Sequence, residues 1–222
     1  ALTAARKAGK VVTSDLEVFF DLCPCPIIGV TGSDGKTTTT TLISEMLRAE
    51  GKTVHLGGNI GKALFPEIES VRPEDYAVVE LSSFQLTSMR RSPQVAVVTN
   101  ISPNHLDVHG TMEEYVNAKR NILLHQNAFS RTVLNADNDM ARRLIPDVRG
   151  ALSTFSRCAN VYRGAWADSR GVLWYSDNGS QTRLMDSKEI RIPGAHNVEN
   201  YLAAISAVWG SVSLGAIRKG AR

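Results

Sequence analysis

The sequence predicts an α/β fold in which a mostly parallel sheet is flanked by helices, with a small antiparallel β subregion beside it. Three observations support this prediction. Continuously apolar, strand-like runs alternate with helical segments between residues 26 and 138, which is typical of parallel strands covered on both faces. Short strand-like pieces broken by turns follow Phe155, as in antiparallel hairpins. An amphipathic helical segment follows Gly194.

The predicted elements can be read in chain order. Helices are expected at residues 36–50 and 111–127, and the second begins with a capping box, because Glu114 stands three residues after Thr111. The last helix is "HNVENYLAAISAVWGS", and the antiparallel pieces lie within residues 160–194. The predicted parallel strands are "IIGVTG", "KTVHLG", "YAVVELS", "QVAVVTNI" and "RTVLNAD".

Composition excludes several classes of partner. The 222 residues are 43% hydrophobic and 21% charged, with a net charge of +3 and no basic run interleaved with aromatic residues, so we expect no nucleic-acid partner. No apolar run approaches the roughly 18 residues of a membrane span, and residues 1–17 lack the features of a signal peptide. We therefore expect a cytoplasmic monomer without a membrane partner. Cys23, Cys25 and Cys158 fit neither a disulfide framework nor a four-ligand zinc site, so we expect reduced thiols without a role.

A phosphate-binding loop is predicted within "GVTGSDGKTTTTTLI", residues 29–43. The strict pattern G-x-x-x-x-G-K-[ST] lacks only its first glycine, where Val30 stands. Backbone N–H groups and a helix N-terminus would hold phosphates, Lys36 would supply a cation and the Thr37 hydroxyl would bind Mg²⁺. The predicted nucleotide-binding residues here are Gly32, Ser33, Asp34, Gly35, Lys36, Thr37 and Thr38. We therefore expect a P-loop mononucleotide-binding fold; the alternative is a glycine-rich turn that binds nothing.

Asp34 places a negative charge in this loop. An unscreened carboxylate about 5–6 Å from a phosphate would cost roughly 3 kcal/mol at an effective dielectric constant of 20. A short polar side chain is nevertheless favoured in such a turn, because it can hydrogen-bond nearby backbone. We expect the Asp34 carboxylate to point away from the phosphates, toward backbone N–H groups.

Polar residues also follow two further strands, at the sheet edge where ligands of parallel α/β proteins bind. Glu80 ends one strand and suits a magnesium ion, unless it is merely solvated or paired with a lysine. The uncharged residues after it are Ser82, Ser83 and Gln85. His105 follows the next strand, but a lone loop histidine is usually polar surface, and Asp107 and His109 fit that reading better.

Two helical segments carry further candidates. Helical periodicity alone predicts Lys119 to be a solvated surface lysine. Asn197 and Asn200 lie one turn apart on one face of the last helix, where two amides would hold a purine edge or simply cap the helix.

Together these motifs resemble the Mur ligases, a family that builds the peptide of the bacterial cell-wall precursor by ATP-driven amide formation. The matching segments are "GVTGSDGKTTTT", "GGNIG", "VVELSSFQL", "NISPNHLDVHGTMEEYVNAKRNI", "VLNADN" and "GAHNVENYLAA", in the family's order and over nearly the whole chain. "ELSSFQL" is similar to the D-glutamate-adding branch and not to the alanine-, lysine- or dipeptide-adding branches.

The resemblance implies roles for individual residues. Lys36 and Thr37 would hold the ATP phosphates and a first Mg²⁺, Glu80 would be a metal ligand, and His105 would bind a second Mg²⁺. Lys119 falls on the lysine that carries a CO₂-derived carbamate, an anion able to help bind Mg²⁺; Lys36, His105 and Lys119 are the implied catalytic residues. The implied substrate-binding residues are Asn59, Ser82, Ser83 and Gln85, and those facing adenine are Asn197 and Asn200.

Two residues near His105 depart from the family pattern: Asn104 and Val108 stand where the family usually has Asp and Arg. These departures put contacts around the loop in doubt more than metal binding.

The resemblance also implies the reaction and its substrates. The γ-phosphate of ATP would pass to the carboxylate of UDP-N-acetylmuramoyl-L-alanine, and the amine of D-glutamate would attack the acyl phosphate. Residues 14–213 would form the central ATP-binding domain, 1–13 a remnant of a UDP-binding domain and 214–222 the start of a third domain, so we expect the chain alone to be incomplete for turnover. Two alternatives stay open: a related ligase such as folylpolyglutamate synthase, and a structural fragment that binds nucleotide without activity.

Overall fold

One parallel sheet forms the centre of the part of the chain that the structure describes. This computed structural model describes residues 2–104, 106–192 and 194–220. The strands of this sheet are β1 (Ile27–Thr31), β2 (Val54–Gly58), β3 (Tyr76–Glu80), β4 (Val95–Val98), β5 (Arg131–Asn135) and β6 (Ala151–Phe155). Their order is β2-β3-β1-β4-β5-β6 and every neighbouring pair is parallel, which confirms the predicted parallel α/β core.

Helices cover both faces of this sheet. They are α1 (Leu2–Lys7), α2 (Asp15–Leu22), α3 (Lys36–Ala49), α4 (Ser83–Ser88), α5 (Leu106–His109), α6 (Met112–Leu124), α7 (Asp139–Arg142), α8 (Ala195–Val208) and α9 (Leu214–Lys219). Short 3₁₀ helices occur at Phe65–Ser70, Ile145–Asp147 and Ser187–Glu189. Helix α6 begins with the predicted capping box: the Thr111 hydroxyl accepts from the Glu114 N–H, and the Glu114 carboxylate accepts from the Thr111 N–H. Within the described ranges, no helix is both long and apolar enough to cross a bilayer.

The antiparallel subregion is also confirmed. Strands β7 (Arg163–Ala167), β8 (Val172–Asp177) and β9 (Ser180–Asp186) form a second sheet in the order β7-β8-β9. The two residues between β8 and β9 are Asn178, with φ 51°, and Gly179, with φ 94°. Positive φ at both positions is the geometry of a tight hairpin turn, and Asn-Gly is the pair that adopts it most readily.

The parallel sheet separates two apolar cores. Alternate residues of β1 point to opposite faces, so Ile28 and Val30 join one core and Ile27 joins the other. The first core also contains Tyr201 of α8, and the second contains Phe19 of α2. Because both faces are covered, the carboxyl edge of the sheet is left as the place where loops can build a binding site.

Candidate functional site

The loop between β1 and α3 lies at the centre of this edge, since β1 runs between β3 and β4. The Ser33 N–H donates to the carbonyl oxygen of Asn100 (2.9 Å), and the Asp34 N–H donates to the Asn100 side-chain oxygen (2.9 Å). The Thr99 hydroxyl donates to the Asp34 carbonyl oxygen (2.6 Å). Residues directly after β4 therefore fix the conformation of the loop.

Gly35 ends the loop and begins α3. Its φ of 78° lies in the left-handed region, and a Cβ atom at this position would lie 2.1 Å from Oδ1 of Asn200. Both the backbone conformation and the close approach of α8 require glycine here. The cap of α3 makes no side-chain hydrogen bond to the first turn within the described structure, so the cap leaves the N–H groups of that turn available as hydrogen-bond donors to an anion.

The Asp34 side chain differs from its prediction. Asp34 is exposed, and none of the hydrogen bonds among the described residues joins its carboxylate to a backbone N–H. Its backbone, not its carboxylate, is anchored: the N–H and the carbonyl oxygen both bond to Asn100. The expected backbone partners of the carboxylate are not found among the described residues, and the side-chain amide of Asn100 fixes the turn instead.

Two lysines converge on the loop. Lys36 folds back so that Nζ donates to the carbonyl oxygens of Gly32 (3.0 Å) and Ser33 (2.9 Å). Nζ of Lys119, on α6, donates to the same Gly32 oxygen (2.8 Å) and lies 4.6 Å from the centre of the Tyr115 ring. Two side chains from distant parts of the sequence thus share one backbone acceptor.

Lys119 is buried, with 1% of its surface exposed, so the surface lysine predicted from periodicity is wrong. Its face of α6 packs against the phosphate-binding loop and not against solvent. Burial lowers the pKa of Lys119 to about 7, with a further lowering by the charge of Lys36 that Asp34 partly offsets. An amine with this pKa is largely unprotonated just above neutral pH.

Glu80 joins the loop to two neighbouring strands. The residue is 1% exposed; Oε2 accepts from the Thr37 hydroxyl (2.7 Å) and Oε1 accepts from the Asn59 side-chain amide (2.9 Å). The solvated alternative for Glu80 is therefore wrong. A buried carboxylate beside a hydroxyl supplies the oxygen ligands that Mg²⁺ prefers, so these residues fit that ion.

The structure supports the other implied metal ligands less directly than it supports Glu80 and Thr37. His105 lies outside the described residues. Among the residues that are described, no three His, Cys, Asp or Glu side chains come close enough together to hold a metal ion. The cation-binding potential of the described site therefore rests on Glu80, Thr37 and the modified form implied for Lys119.

The predicted substrate-binding residues include a capping box. The Ser82 hydroxyl accepts from the Gln85 N–H (3.2 Å), and Oε1 of Gln85 accepts from the Ser82 N–H (2.9 Å). This reciprocal bonding starts α4 directly after β3. The neighbouring hydroxyl of Ser83 instead lies 2.9 Å from Nε2 of His109.

His109 was predicted to be polar surface, but it makes contacts that the sequence did not predict. Its ring stacks on Phe84 (centroids 5.1 Å apart) and tilts against Tyr115 (5.2 Å), and it is half-buried instead of lying freely on the surface. It also lines a cavity of ≈ 400 Å³ together with Val108, one of the two departures from the family pattern. No periodicity or spacing distinguishes this histidine, because its partners come from other segments.

The two asparagines of α8 lie beside the loop. Asn197 and Asn200 are both buried, and Nδ2 of Asn200 donates to Oδ1 of Asn197 (3.4 Å), so they share one face as predicted. Oδ1 of Asn200 also accepts from the Thr39 hydroxyl of α3 (3.4 Å). Thr38, between the loop and Thr39, is half-buried in the first turn of α3.

A cavity of ≈ 250 Å³ brings six of the predicted site residues together, along with Phe84 and Tyr115. Its lining residues are Gly32, Lys36, Asn59, Ser82, Ser83, Phe84, Tyr115 and Lys119. They come from the loop, the end of β2, the start of α4 and one face of α6. Cations, hydroxyls and an amide at one sheet edge can hold a phosphorylated anionic ligand.

Sequence comparison identifies relatives over this whole region. Residues 30–208 match the family described as the Mur ligase middle domain. A UDP-N-acetylmuramoylalanine–D-glutamate ligase from Acetivibrio thermocellus is 51% identical over 218 residues, which make up 98% of this chain and 47% of that protein. An enzyme of the same name from Symbiobacterium thermophilum is 47% identical over 221 residues, covering 98% of this chain and 48% of that protein. The chain thus spans about half the length of the curated relatives that it matches.

Solved structures of two other ligases share the fold. A UDP-N-acetylmuramoyl-L-alanyl-D-glutamate–2,6-diaminopimelate ligase gives a TM-score of 0.69 at 24% identity, covering 87% of this chain and 45% of that chain. A UDP-N-acetylmuramoylalanyl-D-glutamyl-2,6-diaminopimelate–D-alanyl-D-alanyl ligase from Acinetobacter baumannii gives 0.68 at 19% identity, covering 96% and 51%. At these identities the likeness shows the fold alone.

Proposed function

The chain belongs to the Mur ligase family, by its match to the family's middle domain, and we propose that it is the ATP-binding part of a ligase that adds D-glutamate to UDP-N-acetylmuramoyl-L-alanine. The observation that carries the proposal is the cavity beside the phosphate-binding loop that is lined by Lys36, Lys119, Asn59 and Ser83. The name shared by relatives at 47–51% identity supports the choice of acceptor and amino acid. We assign residues 14–213 to this ATP-binding unit.

The proposed reaction forms an amide in two steps. The substrate carboxylate attacks the γ-phosphorus of ATP, giving an acyl phosphate and ADP. The amine of D-glutamate then attacks the acyl carbon, so that the C–N bond forms as the C–O bond to phosphate breaks and the amine loses a proton. Positioning and charge neutralisation supply most of the catalysis in phosphoryl transfer, and no protein nucleophile is required.

The loop and Lys36 would bind the phosphates. Gly32, Ser33, Asp34, Gly35, Thr37 and Thr38 form the loop and the first turn of α3, whose N–H groups favour an anion. Nζ of Lys36 lies within hydrogen-bond distance of the Gly32 and Ser33 carbonyl oxygens, and a rotation of its flexible side chain would carry it from these to a phosphate oxygen. Asn197 and Asn200 on α8 would face the adenine ring, since α8 meets the loop at Gly35.

Two magnesium ions would neutralise charge on the phosphoryl oxygens when bound. We assign Thr37 and Glu80 to the first ion, because their side-chain oxygens are 2.7 Å apart and one of them is a buried carboxylate. We assign His105 and the carbamate of Lys119 to the second. Asn59 would hold the Glu80 carboxylate in place through its amide hydrogen bond.

Two properties of Lys119 support the proposed carbamate: the position of its amine and its lowered pKa. The amine lies in the cavity beside Gly32, where an anion would be useful and an ammonium competes with Lys36. Carbamate formation requires an unprotonated amine, and the lowered pKa of Lys119 supplies one near neutral pH. The carbamate would replace a second positive charge with a negative one that can bind a metal ion.

The acceptor would approach along the same cavity. Asn59, Ser82 and Ser83 line it, and Gln85 holds Ser82 in place from the first turn of α4. These uncharged groups would orient the substrate carboxylate toward the γ-phosphate. As expected from the sequence, we propose a cytoplasmic monomer that acts without nucleic acid or membrane.

A chimaeric enzyme tests the proposal most directly. The chain would replace the matching 47% of the Acetivibrio thermocellus relative, and phosphate release would be measured with ATP, UDP-N-acetylmuramoyl-L-alanine and D-glutamate. We expect release that depends on both acceptor substrates and is lost in Lys36→Ala. Phosphate release that does not depend on D-glutamate would contradict the proposed specificity, and so would phosphate release that folate and glutamate support equally well.

Calorimetric titration of the chain itself with Mg·ATP separates binding from turnover. Binding by the unaltered chain, weakened at least tenfold in Lys36→Ala, would support the phosphate-binding role even if the chimaera folds poorly. The matched control is Lys52→Ala, which removes an exposed lysine of the segment after α3. Equal binding by Lys36→Ala and Lys52→Ala would contradict the role of Lys36.

A further inference from the structure

Cys23 and Cys25 lie close together at the edge of the sheet opposite the candidate site. Cys23 caps the end of α2, and Cys25 stands two residues before β1 begins. The phosphate-binding loop follows the other end of the five-residue strand β1, roughly 16 Å away along the strand direction. Neither thiol therefore belongs to the proposed ligase machinery.

The two sulfur atoms are already near bonding distance. Their separation is 3.5 Å, so an approach of about 1.5 Å would reach the length of a disulfide bond. Cys25 is 2% exposed, whereas Cys23 is partly exposed. One thiol is thus accessible to a small reagent, and the other is held behind it as an internal partner.

The surroundings of the pair favour a reactive Cys23. A hydrogen bond with Cys25 lowers the pKa of the Cys23 thiol to about 7 against the opposing effect of burial, and the charge of His55 lowers it further. Nε2 of His55 lies 2.9 Å from Oδ2 of Asp75, at the amino ends of β2 and β3. The hydrogen bond with Cys23, burial and the carboxylate of Asp75 raise the pKa of Cys25, so the buried member of the pair stays protonated.

We propose that Cys23 and Cys25 form an oxidation site, in which a hydroperoxide oxidises the accessible thiol and an intramolecular disulfide then forms. The Cys23 thiolate attacks one peroxide oxygen; an S–O bond forms, the O–O bond breaks, and the leaving alkoxide takes a proton to become an alcohol. The Cys25 sulfur then attacks Cys23; an S–S bond forms, the S–O bond breaks, and hydroxide leaves with the Cys25 proton as water. The two thiols lose two electrons, which the peroxide accepts.

Peptide mapping by mass spectrometry tests this site. The folded chain is treated with a small excess of hydrogen peroxide at neutral pH, alkylated and digested. We expect the peptide that contains both cysteines to lose two hydrogen atoms and to resist alkylation until it is reduced. Retention of both free thiols while the exposed Cys158 oxidises, or a bond from either cysteine to Cys158 or to a second chain, would overturn the proposal.

Two serine variants assign the separate roles. In Cys25→Ser the first step remains but the disulfide cannot close, so a sulfenic acid should accumulate at Cys23 and be trapped by dimedone. In Cys23→Ser the buried Cys25 should react at least tenfold more slowly than Cys23 does in the unaltered chain. Cys158→Ser is the matched control and should leave disulfide formation unchanged. Equal reactivity of Cys23 and Cys25 in the two single variants would contradict the proposed division of roles.

Discussion

The Nζ atom of Lys119 lies 2.8 Å from the carbonyl oxygen of Gly32. The ammonium of Lys36 bonds to the same oxygen, so two side chains that are cationic in water meet at one buried acceptor. Water screens such repulsion poorly at a buried site, which makes loss of one charge favourable. The arrangement favours the neutral amine of Lys119, and with it the carbamate proposed here.

The first prediction concerns that carbamate. In ¹³C-labelled bicarbonate the chain should show a carbamate carbon signal that is absent in Lys119→Arg, because guanidinium remains protonated. At fixed dissolved CO₂ the signal should grow as the pH rises through about 7, since the amine loses its proton there. Nuclear magnetic resonance measures both effects. Lys52→Arg, at an exposed position, is the control. A carbamate signal that persists unchanged in Lys119→Arg would show that another amine carries the carbamate.

The second prediction separates charge from hydrogen bonding at Glu80. Glu80→Gln keeps the size of the side chain but removes the charge that a magnesium ion needs. The gain in ATP affinity that Mg²⁺ provides should fall at least tenfold, which corresponds to about 1.4 kcal/mol. Calorimetric titrations with and without Mg²⁺ measure this gain. Glu74→Gln, an exposed carboxylate just before β3, should leave it unchanged; an equal loss in both variants would argue against a metal ligand at Glu80.

The third prediction uses two glycines with similar backbone angles. Gly35 has φ 78° and Gly51 has φ 85°, but a Cβ atom at Gly35 would lie 2.1 Å from Asn200, whereas none of the described atoms lies within 4 Å of one at Gly51. Gly51→Ala should cost only left-handed strain, roughly 1–2 kcal/mol of the free energy of unfolding. Gly35→Ala should cost about 1–3 kcal/mol more, because the neighbours must also move. Urea denaturation measures the loss of unfolding free energy in both variants. Equal losses would show that the close approach of α8 to Gly35 does not add to the cost of the substitution.

The fourth prediction concerns Glu17 of α2. Burial acts to raise the pKa of Glu17, but hydrogen bonds from Thr13 and Arg90 outweigh it and leave the pKa below its ordinary value of 4.5. A carboxylate with a lowered folded-state pKa stabilises the protein above its unfolded-state pKa and loses this contribution as the pH falls through the folded-state value. Glu17→Gln should therefore reduce the free energy of unfolding by roughly 1–2 kcal/mol near neutral pH.

The difference between wild type and Glu17→Gln should shrink once the pH drops below about 4.5, as the wild-type carboxylate becomes protonated. Unfolding by urea at a series of pH values measures this change. Glu74→Gln again serves as the control, with a change within about 0.5 kcal/mol at every pH. A constant difference between Glu17→Gln and wild type across the whole range would mean that the carboxylate acts through packing and not through its charge.

Local patterns predicted the fold well. Strands β1, β3 and β4 are mostly apolar and buried, and the capping box at Thr111 and Glu114 is a short-range signal that the structure reproduces. Strand β6, which contains Ser153 and Thr154, was not among the predicted strands. The family prediction was confirmed because its motifs span most of the chain. The order of the strands was not predicted, since it depends on pairings between distant segments.

The site was predicted less completely, because its contacts are non-local. Periodicity put Lys119 on a solvated face, but the face packs against the phosphate-binding loop 87 residues earlier in the chain. His109 meets Ser83 across 26 residues, and the Asp34 backbone meets Asn100 across 66 residues. The proximity of Cys23 and Cys25 was visible in the sequence, but the supporting pair of His55 and Asp75 was not.

The anchoring of Asn200 within α8 has a consequence for motion. Helix α8 is buried along most of its length between the parallel sheet and the antiparallel sheet, and it touches the loop at Gly35. Freeing Asn200 from the loop would require opening a cooperative unit of the core, so amide hydrogens of α8 should exchange with solvent among the slowest in the chain. The part of the proposed nucleotide site where Asn200 meets Gly35 would then be ordered before a ligand binds, so little binding free energy would be lost in ordering that part.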